Sequence, residues 1–187
     1  MFAFDSDTTN VTALSDRWNA LAGVNGGFML AVCLRELGQV MPFPDPLVVS
    51  GFFLRPGTPG PATVSSAVLR AGKTTAFGQA VLSQGEREIV RATAAFTTLN
   101  DEPASFTDLK PPSLPPPDEC VGPPTGDLPG VTIADRVEYR VPTLPGWLAC
   151  RTYTRYVAGG YHEEDFEIWD SSGALVAQSR QLALVLK

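Results

Sequence analysis

The sequence predicts an α+β protein in which antiparallel strands surround a single helix, and two observations carry that prediction. The run from Phe28 to Met41 is apolar apart from Arg35, Glu36, Gly38 and Gln39. After it come β-rich stretches in quick succession, separated by glycine turns, the pattern of an antiparallel meander. A buried helix followed by a meander is an α+β layout in which the sheet curls around the helix.

The helix comes first because it organises the rest. A helix apolar on nearly every face must be enclosed by protein. This one is too short, and carries Arg35 and Glu36 inside it, to be a membrane span. Asn25 is a favoured N-cap, which leaves the first free N–H groups on Gly26, Gly27 and Phe28. Two glycines keep side chains away from those donors, so a ligand oxygen can approach them. The same two glycines also suit close packing of helix against sheet.

Residues 1–14 are polar and threonine-rich, with strand character in Val11–Leu14, and Ser15–Trp18 leads towards the helix. Pro42, Pro44 and Pro46 enforce an extended stop after it. Strands are expected at Leu47–Leu54, Ala62–Ala71, Thr75–Ser83 and Glu88–Leu99, with turns at Arg55-Pro56-Gly57, Gly72-Lys73 and Gln84-Gly85-Glu86. Nine of the 31 positions from 100 to 130 are proline, which forbids helix and interior strand alike. This segment reads as an extended connector strapped over a surface, or as a disordered linker. Strands resume at Ile133–Val141, Trp147–Val157, Tyr161–Trp169 and Ala174–Leu186. Gly159 follows Gly72 by 87 positions, Gly173 follows Gly85 by 88, and Val176 follows Val90 by 86, so an internal duplication is expected.

Composition narrows the function. A chain of 187 residues, 44% hydrophobic and 18% charged, can bury one good core or two small ones. A net charge of −6 with no basic run argues against a nucleic-acid or anionic-membrane surface. The N-terminus lacks the basic-then-apolar order of a signal peptide. Cys33, Cys120 and Cys150 show no C-x-x-C spacing, so a reduced, cytoplasmic protein is expected. His162 is the single histidine. With no second histidine and no G-x-S-x-G elbow, neither a metal site nor a serine triad is expected. The acidic cluster Glu163, Glu164, Asp165 and Glu167 can hide a general base, but reads better as a solvated strand edge.

The order Asn25-Gly26-Gly27, apolar helix, Phe53-Leu54-Arg55-Pro56-Gly57 and a meander ending in Ala94-Ala95-Phe96 resembles the N-terminal half of double hot-dog acyl-CoA thioesterases. The run from Tyr161 to Asp170, continued by Leu175–Gln181, resembles the closing strands of their second hot-dog. The resemblance implies a hot-dog unit at 1–99, a Pro-rich connector at 100–130 and a second unit at 131–187. That second unit is incomplete. Val11–Leu99 is 89 residues long and Val131–Lys187 only 57, and no helix fits between Pro142 and Gly146.

The resemblance implies a catalytic trio of Asp, Thr or Ser, and Gln. Only the Gln has a counterpart, Gln181. It also implies that Asn25, Gly26, Gly27, Phe28, Trp18 and Arg55 contact substrate. Arg55 would meet a phosphate of coenzyme A, or pair with an acidic neighbour such as Glu36. Trp18, Phe28, Met29, Phe52 and Phe53 would line an acyl channel or serve as ordinary core. The implied activity is hydrolysis of an acyl-CoA thioester by direct attack of water, with no cofactor beyond the coenzyme A of the substrate. The alternative is a degenerate, non-catalytic hot-dog that binds acyl groups or pairs with a complete paralogue. A sheet face lacking its helix would expose apolar residues, so a homodimer or higher oligomer is expected.

Overall fold

The computed structural model describes residues 7–20, 22–99, 109–114, 119, 132 and 148–184. The expected strand at 133–141, the stretch 142–146 and most of the Pro-rich segment lie outside the described residues. The chain divides into two units, Met1–Glu102 with Gly126–Glu138 and Pro103–Thr125 with Tyr139–Lys187.

The first unit runs β1 (Asp7–Leu14), a 3-10 turn (Asp16–Trp18), β2 (Asn19–Ala20), β3 (Gly23–Val24), α1 (Gly26–Gly38), β4 (Asp45–Phe53), β5 (Gly60–Ala71), β6 (Ala76–Gln84) and β7 (Arg87–Thr97). Its main sheet has the order β1-β5-β6-β7-β4, and every ladder in it is antiparallel. The period of two is plain in β6. Ala76, Gly78, Ala80 and Leu82 are buried, while Phe77 between them is exposed. Pro46 lies in β4, an edge strand, which is where a sheet tolerates a residue without an N–H. Gly85 takes φ +59° between β6 and β7, the left-handed conformation that favours glycine in a two-residue hairpin.

Helix α1 crosses one face of this sheet and buries Met29, Val32, Cys33, Glu36 and Leu37. Each large apolar side chain buried this way contributes roughly 1.5–3 kcal/mol. The expectation of enclosure on every side holds for one face of the helix. Gly27, Ala31, Arg35 and Gly38 form an exposed stripe on the other. At the far end of the helix the packing is tightest. A Cβ on Gly78 would stand 2.8 Å from Leu37 Cδ1, 2.9 Å from Met41 Sδ and 3.0 Å from the Ala67 carbonyl oxygen. Burial pushes the Cys33 thiol up to about 11.

Glu36 is the charged exception in this core, 5% exposed. Its Oε1 accepts from Arg35 Nε at 2.9 Å and Nη2 at 2.6 Å. Its Oε2 accepts from Asn10 Nδ2 at 2.8 Å and Gln39 Nε2 at 3.2 Å. The carboxylate thus ties β1 to the helix.

The second unit contains β8 (Ala149–Tyr153), β9 (Val157–Ala158), β10 (Tyr161–Trp169) and β11 (Leu175–Leu184). The sheet order is β11-β10-β8, with β9 also on β10. The β10–β11 turn is held by Asp170, whose Oδ1 accepts from Ser172 N, Ser172 Oγ and Ala174 N, with Gly173 at φ +83°. Residues 109–114 form neither helix nor strand. Pro111 Cγ lies 3.6 Å from where a Cβ on Gly173 would stand, so this piece of the Pro-rich segment runs against the turn.

The acidic cluster is not a solvated edge. β10 is the middle strand, and two of its carboxylates, Asp165 and Glu167, are buried at 8% and 3% exposure. Arg180 donates from Nε to Asp165 Oδ1 at 2.6 Å and from Nη2 to Oδ2 at 2.9 Å. Arg151 pairs with Glu167, which also accepts from Trp169 Nε1 at 3.1 Å. The bond from Arg180 is the main cause that holds the Asp165 carboxyl below its ordinary range. A face with these ion pairs is not the bare apolar face expected of a sheet without its helix.

Candidate functional site

Sequence and geometry converge on the start of α1. Asn25 is the N-cap, as expected, and its side chain accepts from Phe28 N at 3.0 Å. Its own N–H donates to the Trp18 carbonyl at 2.8 Å, and its carbonyl accepts from Met29 N at 3.1 Å. The cap consumes the Phe28 donor. Among the described residues no acceptor takes the N–H of Gly26 or Gly27. These two donors carry the positive end of the helix dipole.

The preceding segment is fixed from two directions. Val24 N donates to the Gly57 carbonyl at 2.9 Å. The rings of Trp18 and Phe28 stack at 4.9 Å and 7°, so these two predicted contacts support each other beside the turn.

A cavity of about 360 Å³ opens here, lined among others by Gly23, Asn25, Gly26, Met29, Phe53 and Arg55. It gathers three of the predicted substrate-binding residues, Asn25, Gly26 and Arg55. Gly27, Phe28 and Trp18 stand next to it without lining it. Gly26 answers both readings of the glycine pair. A Cβ there would stand 3.0 Å from Phe53 Cε1, so its bareness lets a ring pack close. At Gly27 the only neighbour of a Cβ would be Asn25 Oδ1, at 3.2 Å.

Arg55 is exposed, and its Nη1 donates to the Glu88 carbonyl at 2.7 Å. Glu36, the acidic neighbour considered for it, is bound instead to Arg35, Asn10 and Gln39. Among the described residues no carboxylate pairs with Arg55, so its charge is available to an anion at the cavity mouth.

Of the five apolar residues considered for a channel, Met29 and Phe53 line the cavity. Phe52 does not. It pairs in register with the exposed Arg91, is itself 66% exposed and points to the opposite face. Sequence reasoning had a signal for this, because Val49, Gly51 and Phe53 share one parity on β4 and Phe52 has the other.

Gln181, the residue implied to be catalytic, is on β11 in the second unit. It is exposed, and its Nε2 donates to Glu164 Oε1 at 2.7 Å, the residue directly opposite on β10. Gln178 has the other parity and lines a second cavity, of about 430 Å³, with Tyr153, Arg155, Asp165 and Arg180. His162 lies opposite Ala183 and Val157 in the ladders. Among the described residues no three potential metal ligands cluster, and no helix is long and apolar enough to cross a membrane.

A five-stranded antiparallel sheet in this order, laid over one long helix, defines a hot-dog protein. Three solved structures share the fold. A candidate thioesterase II from Thermobifida fusca YX aligns at TM-score 0.80 and 23% identity, over 96% of this chain and 94% of its own. A hot-dog protein of unknown function from Alicyclobacillus acidocaldarius aligns at 0.75 and 16%, over 96% and 93%. The acyl-CoA thioesterase II TesB2 of Mycobacterium marinum aligns at 0.69 and 18%, over 94% and 92%. Within the first unit, residues 14–97 match the family model described as the acyl-CoA thioesterase N-terminal domain. Comparison with curated proteins returns no match.

Proposed function

We propose that the protein is an acyl-CoA thioesterase-like hydrolase that cleaves a thioester by direct attack of water. The observation that carries this reading is the cavity at the start of α1, lined by Gly26, whose N–H has no acceptor among the described residues, and by Arg55, which has no carboxylate partner among them. Water oxygen bonds to the thioester carbon, and the carbonyl oxygen gathers negative charge. The C–S bond then breaks, and the thiolate takes up a proton to leave as free coenzyme A beside the carboxylic acid. Backbone N–H groups aimed at the developing oxyanion are the donors such a step needs. Arg55 supplies a positive charge for the phosphates of coenzyme A. Gln181, which the resemblance assigns to catalysis, has an amide that can both donate to and accept from a water. No metal or separate cofactor enters the reaction, and the compartment we assign is the cytoplasm.

The test is release of free thiol from acyl-CoAs of two to sixteen carbons, read with a thiol reagent. No release from any of them refutes hydrolysis. The second reading, a non-catalytic acyl binder, is favoured by one observation, the hydrogen bond that occupies the Gln181 amide. A binder without turnover would be stabilised thermally by acyl-CoA and release no thiol. We also propose a homodimer or larger assembly. The support is β4, an edge strand among the described residues, with no charged residue from Pro46 to Leu54 and with Leu47, Val48 and Phe52 exposed.

A further inference from the structure

The cavity beside α1 has a buried floor and an exposed roof. Its floor is core: Met29 is 3% exposed and Val24 5%, and Met29 Sδ fills the space beside Gly57, where a Cβ would stand 2.5 Å from it. Its roof is Phe53. That side chain faces the helix side of the sheet, in register with the buried Val90, yet it is 53% exposed.

The ring lies against two positions that lack side chains. A Cβ on Gly26 would stand 3.0 Å from its Cε1, and one on Gly51 3.9 Å from its Cε2. Backbone freedom is small, because Leu54 N and Arg55 N both donate to the Ile89 carbonyl, at 2.8 and 3.3 Å. Rotation of the Phe53 side chain remains, since it is 53% exposed and, among the described residues, is not part of the core cluster.

We infer that Phe53 is the gate of this cavity and sets the length of acyl chain it accepts. The inference rests on the reading of the cavity as an acyl-CoA site. With the ring against Gly26 the cavity, about 360 Å³, is at the small end of small-molecule sites, roughly 300–1,000 Å³. A short linear acyl group fits beneath the ring. A longer one enters with the ring turned outward, because the exposed Phe53 yields more readily than the buried Met29 and Val24. Phe53 is thus a specificity residue that touches the acyl chain, placed beside the bond-breaking chemistry without taking part in it.

The experiment measures binding, so that it does not depend on turnover. Dissociation constants for free coenzyme A, butyryl-CoA and octanoyl-CoA are compared in the wild-type protein and in Phe53→Ala, Phe53→Leu and Phe53→Trp. Circular dichroism confirms that each variant is folded, and Phe53→Leu, the mildest change, keeps a folded comparison available. Each added methylene in an apolar pocket changes discrimination by about tenfold or more. Phe53→Ala is therefore expected to raise octanoyl-over-butyryl preference by at least about tenfold, with Phe53→Leu in between. Phe53→Trp is expected to lower it, and the affinity for free coenzyme A to stay constant. Acyl-CoA binding with the same preference, within twofold, in all four proteins overturns the gate and leaves the site reading standing. If no protein binds an acyl-CoA more tightly than coenzyme A itself, the site reading fails and the gate with it.

Discussion

Replacing Glu36 by alanine is expected to weaken the first unit by about 1.5–3 kcal/mol, as hydrogen bonds to a charged group typically contribute. The carboxylate is 5% exposed and accepts four hydrogen bonds, from Arg35 twice, Asn10 and Gln39. Removing one partner of a fully buried ion pair costs roughly 3–5 kcal/mol. That figure must be reduced here, because the Arg35 side chain is 62% exposed and its charge returns to water when the acid is gone. What water does not repay is the Asn10 amide, held between β1 and the helix. Glu36→Gln keeps one acceptor oxygen and should lose about half as much. Arg35→Ala should lose little, on the order of 0.5 kcal/mol, as for other exposed partners. Urea unfolding followed by circular dichroism ranks the three. A loss below about 0.5 kcal/mol for Glu36→Ala, or a larger loss for Arg35→Ala, would refute the claim that the buried acid pins strand to helix.

The remaining predictions concern titration, capping and assembly. The Cys33 thiol is raised by burial to about 11, so the stability it contributes is intact below the ordinary thiol value near 8.5 and fades as pH climbs through the folded value. Cys33→Ala should flatten the loss of stability over that alkaline window. In the native protein Cys33 should react with thiol reagents far more slowly than the exposed Cys150. Asp165 is lowered, so its contribution is present above the free-carboxyl value near 3.9 and disappears as pH falls through the folded value. Arg180→Ala, which removes the main cause, should move the acid transition of the second unit to higher pH, read by circular dichroism. Asn25→Ala should destabilise α1 by about 1 kcal/mol and Asn25→Asp should largely spare it, measured by urea unfolding. Light scattering should report a dimer or larger, and a monodisperse monomer would count against the assembly.

How much could be read in advance depended on how local the cause was. The N-cap at Asn25, the hairpin at Gly85 and the turn at Gly173 follow from backbone preferences of one or two residues, and each stands where the pattern placed it. Of the two glycine pairs that suggested duplication, Gly85 and Gly173 both take positive φ. In the other pair Gly159 does and Gly72 does not. Site details were harder because their causes are non-local. Glu36 reads as an interruption in an apolar helix, and its burial depends on Asn10, 26 residues away. Gln181 and Glu164 meet only because of the β10–β11 register. The acidic run resembles a solvated edge until the ladders show that β10 is flanked by β11 and β8. The alternation of β4 sends Phe53 and Phe52 to opposite faces, but nothing in the sequence says that Phe53 reaches the first turn of α1.

Gly78 gives the helix a pivot. With Leu37, Met41 and the Ala67 carbonyl converging on its missing Cβ, the C-terminal end of α1 is seated against β6 with no slack, and even alanine there would lever the rod away from the sheet. The opposite end, roughly 20 Å along at 1.5 Å per residue, is held by the Asn25 cap and the Trp18–Phe28 stack, and on its cavity side it meets the half-exposed ring of Phe53. Any tilt of the rod is therefore transmitted to the amide end that faces the cavity. A side chain at Gly78, remote from any ligand, would thus be felt at the opening through the body of the helix.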